Sequence, residues 1–409
     1  FWRESALTVG PNDAISINCG QETPVNLNNG IEINAGLVVF SHAAQFLLSS
    51  DEGVLTPDTA RTSQLSSYFV NKNVKPVSLG TTLAFLDNSG IKSRFMEMAE
   101  VRSGIEPTVF DHSKVVPTLL PKDLNLFDIA KDNGMVFMGQ RGSDTIYLYR
   151  YYTVGQQRLL SSWVKWKISK SIKYFCVSDD TFYFIDDNNF IQQINLRTSD
   201  DDLTVTQDGV DFNLHLDNWT AITGGSYSVT TNKTTFSGVS WLSSISGVSA
   251  QLVIMLSNGN YANATIDGTT VTVDGNWTTG TRYLGYLYDM EVDFPTFYPT
   301  KTVGNSTIAD VNASLVIHRL KLAFGKLGSY KTTLTRLGKS DYTQLYEQTY
   351  ANQYEATDAP YLEEKIQTTP VYDKNKNIKL TLKSSYPSPA TLRSLSWEGD
   401  YTTKNYRRV

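Results

Sequence analysis

Short runs of alternating apolar and polar positions dominate the chain, which is the period of a β-strand with one buried face. Four stretches share one pattern, in which an apolar strand is followed by a tight polar turn and a second alternating strand. The later turns are rich in Asn, Asp and Gly, which tolerate the positive φ of a tight hairpin. The pattern predicts hairpins over residues 36–50, 82–98, 134–152 and 181–196.

The hairpins recur at a regular spacing. Matching positions on their first strands are Val39, Phe85, Phe137 and Tyr183, which lie 46, 52 and 46 residues apart. A four-stranded propeller blade takes about 40–50 residues, so this period predicts a partial β-propeller over residues 1–198. The alternative is a set of unrelated hairpins in one large sandwich. Four blades are few for a closed ring, and the chain starts without a Met, so we expect the N-terminal part of the protein to be missing.

The composition changes near residue 200. Residues 199–300 are rich in Thr, Ser, Asn and Gly, and their short alternating strands predict a small β-barrel or sandwich that forms an inserted tip domain. Residues 301–409 form a third, C-terminal β region, a platform or docking region. A weak helical pattern occurs at 119–130 and 340–350. The predicted fold class is all-β.

Charge follows the same three regions. Net charge is −2 over residues 1–198, −9 over 199–300 and +6 over 301–409. No apolar run approaches the roughly 20 residues of a membrane-spanning helix, and no signal peptide is visible. The two cysteines, Cys19 and Cys176, are too few for a disulfide framework and are predicted to be buried thiols.

Candidate catalytic chemistry is sparse. The four histidines lie far apart, without a second His or Cys at metal-ligand spacing, and the sequence contains no HExxH, GxSxG, Walker-loop or CxxC motif. Asp pairs at 179–180 and 186–187 and the run at 200–202 lack the ladder of a calcium-binding loop and fit turns and a solvated linker better. Adjacent acids at 363–364 are best explained as solvated side chains. We therefore predict a non-enzyme without cofactor or metal.

Six N-x-S/T sequons lie between residues 218 and 312, a density that in a secreted eukaryotic protein would indicate glycosylation. A Thr- and Asn-rich β domain also generates this tripeptide by chance. The absence of disulfide pairs and of a signal sequence favours chance. Hexose attached to any of these Asn side chains would reverse the interpretation.

The acidic block argues against tight DNA binding, which requires a basic surface that neutralises phosphates. An acidic surface is nevertheless suited to a passage for DNA, because repulsion lets a polyanion slide without adhering. The −9 region therefore raises the hypothesis of a DNA passage.

Several longer phrases resemble the tail tubular protein B family, the nozzle proteins of T7-like short-tailed bacteriophages, and most closely the versions from phages of cyanobacteria. The likeness spans nearly the whole chain but is weak over 200–280. The phrases are FWRESALTVG and PNDAI (1–15), LVVFS and QFLL (37–48), SLGTT, FLDN and RFMEM (78–98), SKVV (113–116), SWVKW (162–166), EVDFP (291–295), LSWEG (395–399) and the terminal RRV.

The resemblance implies a homohexameric ring around a central DNA channel in the virion tail. It implies docking to the adaptor ring (tail tubular protein A) and to tail fibres, contact with the host cell surface during infection, and no catalytic residues. The motif positions carried over are Trp2, Phe40, Ser41, Gln45, Phe46, Arg94, Phe95, Trp163, Trp166, Trp397, Glu398 and Gly399. The basic tail residues Lys404, Arg407 and Arg408 are a possible interface.

Two expectations concern tryptophans. Trp163 and Trp166 lie three apart in a strand and should face opposite sides, one into a blade core and one outwards. Trp397 should be a core residue. The competing function is a carbohydrate-binding or glycan-degrading propeller of a phage or bacterial surface, which would be a monomer with affinity for sugars.

Overall fold

In the computed structural model the chain is almost entirely β-structure, which confirms the all-β prediction. The described residues are 10–11, 13–17, 19, 26–50, 53–101, 106–154, 157–197, 202–239, 250–303, 306–347 and 362–402. Two compact units divide at residue 199. No helix within these ranges has the length and apolar character needed to cross a membrane.

The first unit contains three antiparallel sheets with strands in chain order. The first sheet is β1 (Leu27–Ile33), β2 (Gly36–Ser41), β3 (Gln45–Ser50) and β4 (Ala60–Ser66). The second sheet is β5 (Val77–Ser78), β6 (Leu83–Asp87), β7 (Arg94–Ala99) and β8 (Thr108–Asp111), followed by a 3-10 turn, His112–Val115. The third sheet is β9 (Leu126–Ala130), β10 (Met135–Gly139), β11 (Ser143–Val154), β12 (Gln157–Ser178), β13 (Thr181–Asp186) and β14 (Ile191–Asn195).

All four predicted hairpins form, as β2–β3, β6–β7, β10–β11 and β13–β14. The third and fourth are not separate blades, however, because they share the third sheet. The 22-residue β12 pairs first with β11 and then, after an irregularity near Ile172, with β13. A strand this long lets one six-stranded sheet curl where two blades were expected.

These sheets stack face to face. Phe40 of the first sheet contacts Phe85 of the second, with ring centroids 5.8 Å apart, inside one buried cluster. The opposite face of the second sheet packs on the third through Phe95 and Tyr149. Both faces of the second sheet are therefore buried, as in successive blades of a propeller.

The second unit begins with a small hairpin and a seven-stranded sheet. The hairpin is β15 (Thr204–Gln207) and β16 (Val210–Asn213). The sheet has the order β17-β23-β20-β21-β22-β19-β18 and consists of β17 (Asp217–Ile222), β18 (Ser226–Ser228), β19 (Lys233–Phe236), β20 (Leu252–Leu256), β21 (Tyr261–Asp267), β22 (Thr270–Asp274) and β23 (Arg282–Tyr286). Its core includes Trp277 and Ile254, and the other face of β20 packs on Leu214 and Leu216.

The rest of this unit is a sandwich of two sheets, of order β24-β31-β28-β29 and β30-β27-β32, that share one core. The strands are β24 (Met290–Asp293), β25 (Thr300–Val303), β26 (Ser306–Ala309), β27 (Ser314–Leu327), β28 (Tyr330–Arg336), β29 (Lys339–Tyr346), β30 (Glu363–Lys374), β31 (Ile378–Ser384) and β32 (Ala390–Thr402). β25 and β26 form a separate hairpin, and Asn375–Asn377 is a 3-10 turn.

Two sequence expectations are wrong. The weak helical patterns overlap β9 and β29, where pairing with β10 and β28 outweighs a marginal local preference, and residues 348–350 of the second pattern lie outside the described residues. Cys176 is exposed because it lies on the outer face of β12, while Cys19 is half-buried, and both thiols are free.

Candidate functional site

The first group of motif residues stabilises the turn between β2 and β3. Phe40 and Phe46 are buried apolar residues of β2 and β3. Ser41 Oγ accepts a hydrogen bond from the Ala44 amide at 2.9 Å and donates to the Ala44 carbonyl at 2.9 Å. The side-chain amide of Gln45, also fully buried, donates to the carbonyl of Tyr68 at 2.9 Å. These contacts fix the β2–β3 hairpin and the chain after β4.

Arg94 and Phe95 are neighbours that point to different environments. Arg94 is about half exposed and pairs with Asp87, which is buried at the end of β6. Phe95 lies at the centre of an aromatic cluster, with ring centroids 5.0 Å from Tyr149 and 6.0 Å from Trp163. Arg94 therefore closes a hairpin, whereas Phe95 joins the second sheet to the third.

Beside this cluster lies a buried carboxylate that the sequence analysis did not single out. Glu97 is 3% exposed and accepts two hydrogen bonds from the Arg158 guanidinium, at 2.7 and 2.8 Å. His112 Nε2 lies 2.6 Å from Glu97 Oε2, and Thr82 Oγ1 donates to Oε1 at 2.7 Å. Tyr149 Oη lies 3.2 Å from His112 Nδ1. The network bridges the second and third sheets.

Electrostatics favour the ionised form of Glu97. Burial alone would raise its pKa, but hydrogen bonds from His112, Arg158 and Thr82 outweigh this desolvation and lower the pKa from 4.5 to about 2. Because Glu97 lies on the second sheet and Arg158 on the third, the network holds these two sheets together. One sequence signal existed: Glu97 lies inside the RFMEM phrase, and an acid between two methionines of a buried strand requires a partner.

Trp163 and Trp166 lie on opposite faces of β12, as the two-residue period requires. Trp163 packs in the Phe95 cluster. Trp166 packs across Phe137, with centroids 5.7 Å apart, in the core inside the curled third sheet. Both are half-buried, so the expectation that one faces outwards is wrong, because the curl gives this sheet a core on each side.

Near the C-terminus the three motif residues have three different surroundings. Trp397 is half-buried against the sandwich core, so it is a core residue at its margin. Glu398 is exposed and pairs with Lys321 and, at 3.3 Å, with Arg319. Gly399 approaches β27 so closely that a Cβ would lie 2.1 Å from the carbonyl oxygen of Val316.

Four of the predicted site residues lie outside the described part of the chain: Trp2, Lys404, Arg407 and Arg408.

Among the described residues, no group of three or more His, Cys, Asp or Glu could hold a metal ion. The carboxylate of Asp186 is used within its own turn, where it accepts the Phe190 amide at 2.8 Å.

The acidic block is partly neutralised inside the second unit. Asp289, just before β24, and Asp293, its last residue, pair with Lys383 at 2.6 Å and Lys379 at 2.8 Å on β31. The hydrogen bond from Lys379 lowers the pKa of Asp293. Residues 202–286 carry six Asp against one Lys and one Arg, a net charge of −4, and one of these acids, Asp208, pairs with Lys326 at 3.1 Å.

Together these contacts define an all-β scaffold, in which polar and aromatic clusters join sheets to one another. The chain belongs to the bacteriophage nozzle protein family, whose model matches residues 1–408. Members of this family are structural proteins of the virion tail.

A search of curated proteins finds no match. Solved structures with some similarity include a putative 6-phosphogluconolactonase from Bacteroides uniformis (12% identity, 87% of this chain and 88% of that chain, TM-score 0.27). Another is an exo-β-1,3-galactanase from Phanerochaete chrysosporium with galactose (10% identity, 90% and 78%, TM-score 0.20). TM-scores this low support no conclusion about fold or function.

Proposed function

We propose that this chain is a ring-forming structural subunit of a phage tail nozzle, without enzymatic activity, through which genomic DNA leaves the virion. The observation that carries the proposal is the nozzle-family match over residues 1–408. Further features of the proposal are a homohexamer, a propeller-type wall, an acidic tip and a C-terminal docking region, in a protein of cyanophage type. Its partners would be the adaptor protein, the tail fibres and the host cell surface.

The charge distribution supports the DNA passage. Residues 202–286 carry a net charge of −4, and the pairing of Asp208 with Lys326 at 3.1 Å leaves a net charge of −3. A surface with this sign repels phosphates and favours passage over binding.

The basic tail is proposed to hold a neighbouring subunit or the adaptor through Lys404, Arg407 and Arg408. Because β32 extends to Thr402, truncation after residue 402 removes these charges and leaves the strand complete. The truncated chain should assemble less well at low salt, where screening is weakest. Unchanged assembly would reject this role.

Mass photometry and negative-stain imaging of the purified chain test the main proposal. A hexamer of the 45.7 kDa chain has a mass of about 274 kDa and should show a central hole. The carbohydrate-binding alternative predicts a monomer that binds glycans. A monomer at every protein concentration would contradict the nozzle-ring proposal.

A further inference from the structure

The long β11–β12 hairpin has one anchored face. Tyr149 pairs with Trp163 and Tyr151 with Ser161 across the two strands, and these side chains point towards the second sheet. Arg158, near the start of β12, is held by Glu97 and lies 5.0 Å over the Tyr151 ring. A buried ion pair and an aromatic cluster therefore fix the direction of the hairpin.

The opposite face of the same hairpin is exposed and apolar. We name it the hairpin face, formed by Arg150, Tyr152 and Val154 of β11 and by Leu160 and Val164 of β12. Tyr152 is 58% exposed, Val154 52%, Leu160 42% and Val164 38%. Tyr152 and Leu160 are direct cross-strand partners, so the exposed apolar side chains are contiguous rather than scattered.

Arg150 stands within this apolar face and has no hydrogen bond or ion pair to any other described residue. It is exposed and lies opposite Ser162. Tyr and Arg surrounded by aliphatic side chains are the composition of the residues that dominate binding energy at protein interfaces. An unpaired guanidinium in such a setting fits a partner that supplies a carboxylate.

The charges of the chain identify which partner fits. The basic residue of the hairpin face is Arg150. Lys165 and Lys167 follow Trp163 on the reverse face of β12, and Arg158 is held by Glu97. Residues 202–286 carry a net negative charge, and Asp211 and Asp267 are exposed there. The charge of Arg150 is opposite in sign to these carboxylates, which favours and orients their encounter.

We propose that the hairpin face docks on exposed carboxylates of residues 202–239 and 250–286, such as Asp211 and Asp267, in a second copy of this chain. This inference rests on the ring-forming function proposed above and names the contact that closes the ring. Because two different patches meet, each subunit uses one patch on either side, and such a head-to-tail contact forms a closed ring where the rotation between subunits closes. The anchored reverse face holds the hairpin ready for docking, which lowers the ordering cost of association.

Mass photometry of the full chain tests the hairpin face. The double variant Tyr152→Ser with Leu160→Ser should require about tenfold or more protein for half-assembly, since central interface anchors carry most of the binding energy. Ile191→Ser is the control: Ile191 is 73% exposed on β14, outside the hairpin face, and its variant should assemble like the parent. Unaltered circular dichroism of both variants would show that folding is retained.

Photo-crosslinking in a mixture of light and heavy-isotope chains tests the partner. A benzophenone side chain introduced at Val164, which is exposed on the hairpin face, should form mixed-isotope crosslinks to residues within 202–239 or 250–286. The charge reversal Arg150→Glu should remove these crosslinks and weaken assembly.

Three results would overturn the inference in distinguishable ways. Rings formed equally well by parent and double variant would exclude the hairpin face as the interface. Crosslinks only to other regions would exclude the acidic partner. A parent chain that stays monomeric would contradict the ring proposal itself.

Discussion

Glu97→Gln is the perturbation that best tests the inter-sheet network. The change keeps the size of the side chain and one acceptor oxygen but removes the negative charge. Arg158, whose side chain is 23% exposed, then faces a neutral amide, and His112 loses its anionic partner. The second and third sheets stay in place through Phe95, so the variant should fold but be less stable.

The magnitude follows from the pKa of Glu97. Lowering it from 4.5 to about 2 corresponds to about 3 kcal/mol of preference for the ionised form, at about 1.4 kcal/mol per tenfold change. Breaking a buried ion pair by removing one partner costs about 3–5 kcal/mol. We expect about 3 kcal/mol at pH 7, because Arg158 keeps some contact with water.

The sign of the pH dependence is fixed by the same shift. Because the folded-state pKa is below the unfolded value, the stabilisation is fully present above about pH 4.5 and is lost as pH falls through about 2. The stability difference between the parent and Glu97→Gln should therefore be about 3 kcal/mol at pH 7 and less than half of that near pH 3.

Urea unfolding read by hydrogen exchange and mass spectrometry resolves this difference, because peptides from β7 and β12 report on the first unit alone. Glu291→Gln is the control: Glu291 is exposed on β24, and its variant should differ from the parent by less than about 0.5 kcal/mol. A deficit for Glu97→Gln that is absent at pH 7, or equally large at pH 7 and pH 3, would refute the reasoning.

Three further outcomes can be checked on single variants of the full chain. Phe95→Ala should lower the stability of the first unit by about 3–5 kcal/mol in the same exchange measurement, since it empties the centre of the aromatic cluster; a loss below 1 kcal/mol would contradict this. Gly399→Ala should destabilise the sandwich by about 1–3 kcal/mol, because its Cβ would strike the Val316 carbonyl, and an unchanged urea midpoint for peptides of β27 would disprove the contact. Iodoacetamide should label native Cys176 at once and Cys19 more slowly, and equal protection of both, read by peptide mass spectrometry, would show that Cys176 is covered.

The sequence correctly predicted the features that depend on residues close to one another along the chain. Alternation and turn residues located the four hairpins, because both signals act within about ten residues. The sharing of one sheet by the third and fourth hairpins was missed. It depends on β12 continuing past the irregularity at Ile172, where the residues pair first with one neighbour and then with another.

The network around Glu97 could not be predicted for a different reason. Glu97 and Arg158 are 61 residues apart and meet only because two sheets stack. Likewise, the two-residue period placed Trp163 and Trp166 on opposite faces, but their depth depends on the curl of the third sheet. Sequence patterns give the direction of a side chain within its strand and leave its distant neighbours undetermined.

The RFMEM phrase shows why several consecutive residues of a family motif can each have a structural role. It is the strand β7, whose two faces meet different sheets: Met96 and Met98 pack on the first sheet, while Phe95 and Glu97 contact the third. Every position after Arg94 therefore serves an internal junction. We infer that such phrases mark junctions between sheets. The surfaces that bind other proteins must then be sought where exposed apolar residues coincide with charged residues that have no partner among the described residues, as at Tyr152 and Arg150 on the β11–β12 hairpin.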